Sequence, residues 1–413
     1  MSTAEQDAAG RGVLGEDVRV GDLSEEELLA VITPLLPRGP QTPVGTGDDC
    51  AVLSFPDSRT AVSTDVLVEG RHFRTDWSTG RDIGARAAAQ NLADAAAMGA
   101  WPVAIVVGLV MPAATSVGWV RDFARGLARG CEPCGAGVVG GDLSGGNSLV
   151  VAVTVLGDLE GRAPVLRSGA RPGDAVIHVG TLGRSAAGLA LLSAGTDHAP
   201  GSHTSFFAGG QEQPQVRACI ETFRAPTPPL AAGRELALVG ATSMLDVSDG
   251  LLRDAGRIAR ASGVVIDLDD PGDLPDASFL EPVSALVSGH GGSEARALAR
   301  RWLLTGGEDH GLLATVPTDA LERLPAGARV IGRVLSPQAS AARVLGVGRA
   351  SSSQENRRRS TPGGTTSLTP DGLHPVEERR GKTKGRRLLA QRRPRARRTR
   401  GEALRCCASP SRP

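Results

Sequence analysis

Two periodicities divide the chain. Short runs alternate apolar and polar residues or are apolar throughout, and longer runs repeat apolar residues every three to four positions. Leu23-Ser24-Glu25-Glu26-Glu27-Leu28-Leu29 opens a helix, with Ser24 at its cap, Glu27 three residues on as in a capping box, and Pro34 near its end. A Gly/Pro-rich loop then leads to Gly47-Asp48-Asp49-Cys50-Ala51-Val52-Leu53, an acidic turn opening into a strand. Thr60-Ala61-Val62-Ser63-Thr64-Asp65 predicts a second strand, which ends in hydroxyls and a carboxylate. The pattern continues with a helix over 83–98 capped by Gly99, a strand over 103–110 and a helix over 119–128. A strand follows over 138–144 with a Gly-Asp turn, and another over 149–156. Strands with two crossover helices predict an α+β sandwich.

A polar link at Glu160-Gly161 separates a second set of elements. These are a strand over 174–179, a Gly-rich turn over 180–188 entering a helix, and a Gly/Pro/Ser-rich loop over 195–229. Then come a strand ending at Asp246, a helix from Leu251, a strand over 264–268, a turn over 302–309, and strands over 311–316 and 328–334. Periodicity fades after Val334. The expected organisation is a disordered stretch over 1–22, an N-terminal domain over 23–160, a C-terminal domain over 161–336 and a disordered Arg-rich tail over 337–413.

Composition adjusts this picture in three ways. At 413 residues, 40% of them hydrophobic and 54 of them glycine, the chain can build two domain cores. Its formal net charge of +1 hides unlike parts: from Ser351 onward 17 Lys+Arg face 5 Asp+Glu, whereas the body before it is net acidic and lacks lysine altogether. A basic, Ser/Pro-rich composition that starts this abruptly is what reading a GC-rich gene out of frame would give. No apolar run approaches the ~20 residues that cross a bilayer, and the polar N-terminus lacks a signal peptide's apolar core, so a cytoplasmic protein is expected. Cys131 and Cys134 form a lone Cys-x-x-Cys with no second pair at zinc spacing, which predicts reduced structural thiols.

The candidate chemistry lies in aspartates. Asp246-Val247-Ser248-Asp249-Gly250 sits between a strand and an amphipathic helix. Two carboxylates so close repel unless a cation compensates, and hard oxygen ligands suit Mg²⁺. Ser248 or Asp249 could equally serve as the helix cap. Asp49, Asp65, Asp94 and Asp142 share this setting, at a strand end, in a Gly turn or in a Gly-bounded helix. Should the six converge, they stay ionised only around cations, and phosphates approach through metal. The Gly-x-x-x-x-Gly-Lys-Ser/Thr pattern is absent. That combination describes phosphoryl transfer by carboxylates and metal ions.

The ordered set of motifs resembles the thiamine-phosphate kinase family, within the aminoimidazole ribonucleotide synthetase-like ATP-binding superfamily. It comprises Gly47-Asp48-Asp49-Cys50-Ala51-Val52, Thr64-Asp65-Val66-Leu67-Val68-Glu69-Gly70-Arg71-His72-Phe73 and Asn91-Leu92-Ala93-Asp94-Ala95-Ala96-Ala97-Met98-Gly99. Gly140-Gly141-Asp142, Leu182-Gly183-Arg184-Ser185-Ala186-Ala187-Gly188-Leu189, Asp246-Val247-Ser248-Asp249-Gly250-Leu251 and Thr305-Gly306-Gly307-Glu308-Asp309 complete it. The resemblance implies a two-domain α+β fold of that superfamily, with N-terminal sheets paired in a homodimer and a C-terminal α/β sandwich. It implies that ATP is the co-substrate, that Mg²⁺ is the cofactor and that thiamine monophosphate is phosphorylated to thiamine diphosphate. Asp49, Thr64, Asp65, Asp94, Asp142, Asp246 and Asp249 match Mg²⁺-binding positions. Gly141, Asp142, Arg167 and Ser248 match positions near the nucleotide. His72 matches a substrate contact, and Glu308 lies on the thiamine side.

The bland readings are a solvated Arg167, a hydrogen-bonded His72 and a turn-capping Glu308. His310 stands where the family usually has Tyr, and no aromatic residue follows Trp302 to supply the family's aromatic C-terminal end. One alternative keeps the fold and changes the acceptor. Another has the basic tail bind nucleic acid, which the lack of interleaved aromatic residues disfavours.

Overall fold

The computed structural model describes residues 18–46, 50–195 and 213–338 and the backbone of Thr366–Leu368. The described residues all fall within one compact unit. Residues 18–22 correct the expectation of disorder over 1–22. Val20 N–H donates to Thr115 O and Val117 N–H to Val18 O, and Val18 and Val20 pack on the core, so main-chain bonds and apolar contact hold this stretch. The remainder of 1–22 lies outside the described residues.

In the first half the elements are α1 (Glu25–Ile32), β1 (Thr60–Val68), α2 (Gly80–Ala97), β2 (Trp101–Met111), α3 (Val117–Cys131), β3 (Gly137–Gly145) and β4 (Val150–Asp158). The Ser24–Glu27 capping box forms as expected, and Thr79 with Asp82 makes a second one that starts α2. The four-stranded sheet has the order β1-β4-β2-β3, with β2 and β3 parallel and the other pairs antiparallel. Its inner face carries Leu67, Ile105, Val107, Leu109, Val151, Val153 and Val155 against α2 and α3. Cys131 and Cys134 are free and buried.

Three local expectations change. The strand expected at 50–53 reduces to an isolated bridge between Val44 and Val52, since Pro43 has no N–H to extend the ladder. β1 does not end at Asp65; it pairs with β4 along its whole length, which places Asp65 in mid-strand opposite Val153. Gly140-Gly141-Asp142 is not a turn but continuous strand, with Gly141 opposite Val107 and Asp142 opposite Gly108.

The second half comprises β5 (Ala175–Val179), α4 (Arg184–Ala194), α5 (Pro214–Arg224), α6 (Leu230–Leu238), β6 (Ser243–Asp246), α7 (Leu251–Ser262), β7 (Val265–Leu268), α8 (Pro275–Ser288), α9 (Ser293–Thr305), β8 (Leu312–Val316), β9 (Arg329–Leu335) and β10 (Thr366–Leu368). The sheet is antiparallel in every described pair, in the order β10-β7-β9-β5-β8-β6. One face packs under α4, α5, α7, α8 and α9. The other packs on α6 and on Ala97 at the end of α2, so α2 belongs to both cores.

Helix α5 corrects the loop expected over 195–229: Val216, Cys219, Ile220 and Phe223 are buried at helical spacing behind Pro214 at the first turn. Thr366–Leu368 departs from the disordered tail expected over 337–413. The edge of β7 offers free main-chain groups that three residues of any composition can pair with. The rest of that tail beyond Gln338 lies outside the described residues. No helix among the described residues is long and apolar enough to cross a membrane.

Candidate active site at the domain boundary

Helix α2 is rich in alanine and almost wholly buried, yet it carries a polar stripe: Arg86 (3% exposed), Gln90 (8%), Asn91 (0%) and the less buried Asp94. The spacing Arg86, Gln90, Asp94 keeps these residues on one helical face. Opposite lies β1. Its alternation turns Ser63 and Asp65 toward α2 and leaves Val62, Thr64 and Val66 on the exposed outer face. Ser63 Oγ donates to Asp94 Oδ2 (2.7 Å), Asp65 N–H to Asn91 Oδ1 (3.1 Å), and Gln90 Nε2 to Asp65 Oδ2 (3.3 Å).

The other wall comes from the second half, where the turns after β6 and before β8 are laced together. Val247 N–H donates to Gly311 O (2.7 Å), Glu308 N–H to Ser248 O (2.9 Å) and His310 N–H to Val247 O (3.2 Å). The backbones touch so closely that a Cβ on Gly307 would lie 2.2 Å from Ser248 O, and one on Gly250 would lie 2.8 Å from Thr305. Glu308 and His310 adopt left-handed φ of 67° and 53°, conformations that a side-chain-bearing residue keeps only when its surroundings impose them. His310 Nδ1 lies 3.0 Å from Asp246 Oδ2 and its Nε2 lies 3.9 Å from Glu308 Oε2, beyond hydrogen-bonding reach. Arg86 Nη2 crosses from α2 to donate to Glu308 Oε2 (2.6 Å).

The charges in this boundary are coupled. Burial, then the charges of Asp246 and Asp65, push Asp94 up to about 6, against the Ser63 hydrogen bond. Burial also raises Asp65, with Asp246 and Glu308 adding to it and Gln90 and His310 opposing. Burial alone would lower the His310 imidazole, but the hydrogen bond and charge of Asp246, with the charge of Glu308, raise it to about 10. Burial would likewise raise Glu308, but His310 and Arg86 hold it at about 2.

Not every expected residue joins this group. Asp49 lies outside the described residues. Thr64 is on the opposite face of β1 from Asp65, with its Oγ1 2.8 Å from Thr154 Oγ1. Asp142 is on β3, three strand spacings or about 14 Å across the sheet from β1. It accepts from Ser144 Oγ (2.6 Å) and, with Gly141, borders a separate, mainly apolar cavity of about 360 Å³ between the sheet, α1 and α3. Asp249 is exposed and its oxygens are held by Arg253 (2.9 Å) and Arg257. Ser248 contributes its carbonyl to the turn lacing, and Arg167 is exposed. His72 Nδ1 accepts from Val68 N–H (2.9 Å), which leaves the neutral ring's proton on Nε2.

Several contributors were not picked out from the sequence. Arg86, Gln90 and Asn91 carried a signal, namely polar residues at helical spacing in an otherwise Ala-rich helix. Asp254, wholly buried, takes Asp249 N–H (3.0 Å) and Arg257 Nη1 (2.6 Å) and so orients the Ser248–Gly250 turn; burial raises it to about 6. Asp309 takes Thr181 Oγ1 (2.9 Å) and the N–H groups of Arg184 (3.1 Å) and Ser185 (3.3 Å), filling the N-terminus of α4 with the protein's own carboxylate. The Gly180–Gly188 turn therefore shapes the second domain.

Two α+β domains meeting at a carboxylate-lined boundary define a class. The chain matches AIR synthase related protein, N-terminal domain, over residues 47–159, and AIR synthase related protein, C-terminal domain, over residues 171–344. It is 43% identical over 319 residues to thiamine-monophosphate kinase of Corynebacterium glutamicum, spanning 76% of this chain and 87% of that one. It is 44% identical over 310 residues to that of Mycobacterium tuberculosis, spanning 74% and 84%. The solved structure of AaThiL complexed with AMPPCP and TMP matches it with a TM-score of 0.58 at 30% identity, covering 77% of this chain and 93% of that one. The chain belongs to the thiamine-monophosphate kinase family.

Proposed function

We propose that this protein transfers the terminal phosphoryl group of ATP to thiamine monophosphate, giving thiamine diphosphate. The observation that carries this reading is the convergence of Asp65, Asp94 and Asp246, from three elements and both domains, on one boundary where burial and the charge of Asp246 raise both Asp65 and Asp94. The names of the relatives support the acceptor, and the AaThiL complex with AMPPCP and TMP supports a nucleotide and a thiamine phosphate as the two ligands.

Three carboxylates in one boundary call for a cation, and an all-oxygen donor set suits Mg²⁺. No three of the described His, Cys, Asp or Glu side chains gather closely enough to cage one ion. That fits Mg²⁺ shared between one or two carboxylates and substrate phosphates, rather than a closed protein site. One or two of Asp65, Asp94 and Asp246 would hold each such ion, and Asp249 would become available once Arg253 or Arg257 releases an oxygen. When bound it neutralises the approaching phosphates. The protein's own part is positioning. His310 fixes the rotamer of Asp246, Ser63 that of Asp94 and Gln90 that of Asp65. Glu308 and the Nε2–H of His72 face the acceptor, while Gly141 and Asp142 meet the nucleotide with Ser248 and Arg167. Transfer is direct and in line, with no enzyme-bound phosphoryl group.

Asp142 and Asp65 are too far apart along one sheet to serve a single phosphate chain, so a homodimer belongs to this reading. Val62, Val66 and Val106 are 60%, 46% and 36% exposed on the outer face of the N-terminal sheet, where a second copy would cover them and bring the two subsites together.

The test is product formation by purified protein with ATP, Mg²⁺ and a panel of acceptors: thiamine monophosphate, thiamine, and phosphorylated nucleosides and sugars. The expected result is thiamine diphosphate from thiamine monophosphate alone. Turnover of a different acceptor in preference to it overturns the assignment.

A further inference from the structure

Arg86 is the only cation among the polar residues of the buried α2 stripe, and among the described residues the hydrogen-bond partners of its side chain lie in the other domain. Nη2 donates to Glu308 Oε2 (2.6 Å) and Nη1 to the carbonyl of Phe223 (2.7 Å). That carbonyl belongs to the last turn of α5, where the carbonyls lack helical partners and the helix dipole is negative. The guanidinium also lies 5.1 Å above the Phe223 ring, which meets the Trp77 ring edge-on at 6.1 Å. A single 3%-exposed side chain thus ties the N-terminal domain to α5, to an aromatic pair and to the left-handed Glu308.

A structural tie between two domains could be made by apolar packing, which avoids desolvating a guanidinium. A buried arginine aimed at one part-exposed carboxylate, 42% accessible on its side chain, instead fixes where that carboxylate points. We infer that Arg86 is a positioning residue for the acceptor: by holding Glu308 across the domain boundary, it sets the side of the site that receives thiamine monophosphate and leaves the nucleotide side alone. The inference rests on the proposed placing of Glu308 on the acceptor side.

The experiment uses the full chain with Arg86→Gln, Arg86→Lys, Glu308→Gln and the double variant Arg86→Gln/Glu308→Gln. It reads KM and kcat for thiamine monophosphate, and the Kd of a non-hydrolysable ATP analogue. Arg86→Gln is expected to raise the acceptor KM about tenfold to a hundredfold, as loss of a buried charge-assisted bond does, with the nucleotide Kd changed less than about twofold. Arg86→Lys, which keeps the charge but not the paired donors, should regain only part of that loss. The double variant should be no worse than Glu308→Gln, because the two act as one unit.

A matched loss of nucleotide affinity, or additive effects in the double variant, makes Arg86 a general domain tie and overturns the inference. A loss on Glu308→Gln with none on Arg86→Gln overturns the inference alone. No loss on Glu308→Gln overturns the placing of Glu308, and the inference with it. Should Arg86→Gln not fold, Arg86→Lys is read against the same constants: a selective rise in acceptor KM of about threefold or more supports the role, and a KM equal to the parent's overturns it.

Discussion

Asp94 is the residue at which structure and chemistry pull hardest against each other. Its folded carboxyl titrates near 6, against 3.8 for a free one, first because it is buried and then because Asp246 and Asp65 are charged beside it. A raised carboxyl binds more protons folded than unfolded, so stability falls as pH rises from about 4 to 6 and stays lower above that. Asp94→Asn removes this term and still accepts the Ser63 hydrogen bond. The metal-free variant is therefore expected to be more stable than the parent at pH 8, on the order of 1 kcal/mol, with no gain at pH 4. Mg²⁺-dependent activity should fall by about a hundredfold or more, since a ligand is worth at least what its supporting shell is worth. Thermal melts at the two pH values check this, and a metal-free variant less stable than the parent at pH 8 would show Asp94 to be structural. Asp65, Asp94 and Asp246 were singled out only as part of a set of six in an acidic body without lysine, since each alone reads as a turn residue or a cap. Arg86 was not singled out, because its partner Glu308 is remote in sequence and nothing local announces the pairing.

At the level of elements, the site depends on two turns pressed together. Gly307 has no room for a side chain, because its Cβ would meet Ser248 O at 2.2 Å; the alternative to a clash is for the turns to part. Gly307→Ala is expected to cost about 1–3 kcal/mol of stability, the usual range for overpacking. It should also lower kcat at least about tenfold, because Asp246 and Glu308 then shift against each other. Unfolding by denaturant and steady-state kinetics measure the two effects, and a variant with full kcat would mean that the lacing does not set the chemistry. Strand and helix identities were readable from period alone through the first half, but α6, α8 and α9 were not read, and α9 runs through Thr305 into the turn expected over 302–309. The boundaries that mattered for the site were not readable. Gly140-Gly141-Asp142 reads locally as a turn, and only pairing with β2 keeps it extended. Asp65 looks like a strand end until β4 is found opposite all of β1. Helix α5 was hidden by the Gly/Pro/Ser-rich residues before it, although Val216, Cys219, Ile220 and Phe223 carried the helical period.

For the whole molecule, β1 is amphipathic in an unusual sense: Ser63 and Asp65 face inward to the site, while Val62 and Val66 face out. A folded domain gains nothing by exposing valines while burying a carboxylate, unless the buried face is functional and the exposed one is covered in the working protein. The strand therefore supports a dimer through the same alternation that supports a carboxylate site. The sequence pattern contained this, but it could be read only once the face toward α2 was known. Val62→Asp introduces a charge at the centre of that outer face and touches none of the site's hydrogen bonds. It is expected to raise the dimer dissociation constant about a hundredfold, the equivalent of roughly 3 kcal/mol, while leaving the circular dichroism spectrum unchanged. Activity should then follow dimer concentration if, as proposed, the Gly141–Asp142 subsite of one copy is completed by the Asp65–Asp94 subsite of the other. Sedimentation velocity of parent and variant over a concentration series, with activity measured on the same samples, decides it. A parent that is monomeric and fully active at every concentration would place the whole reaction within one chain, and Asp142 would then have no part in it.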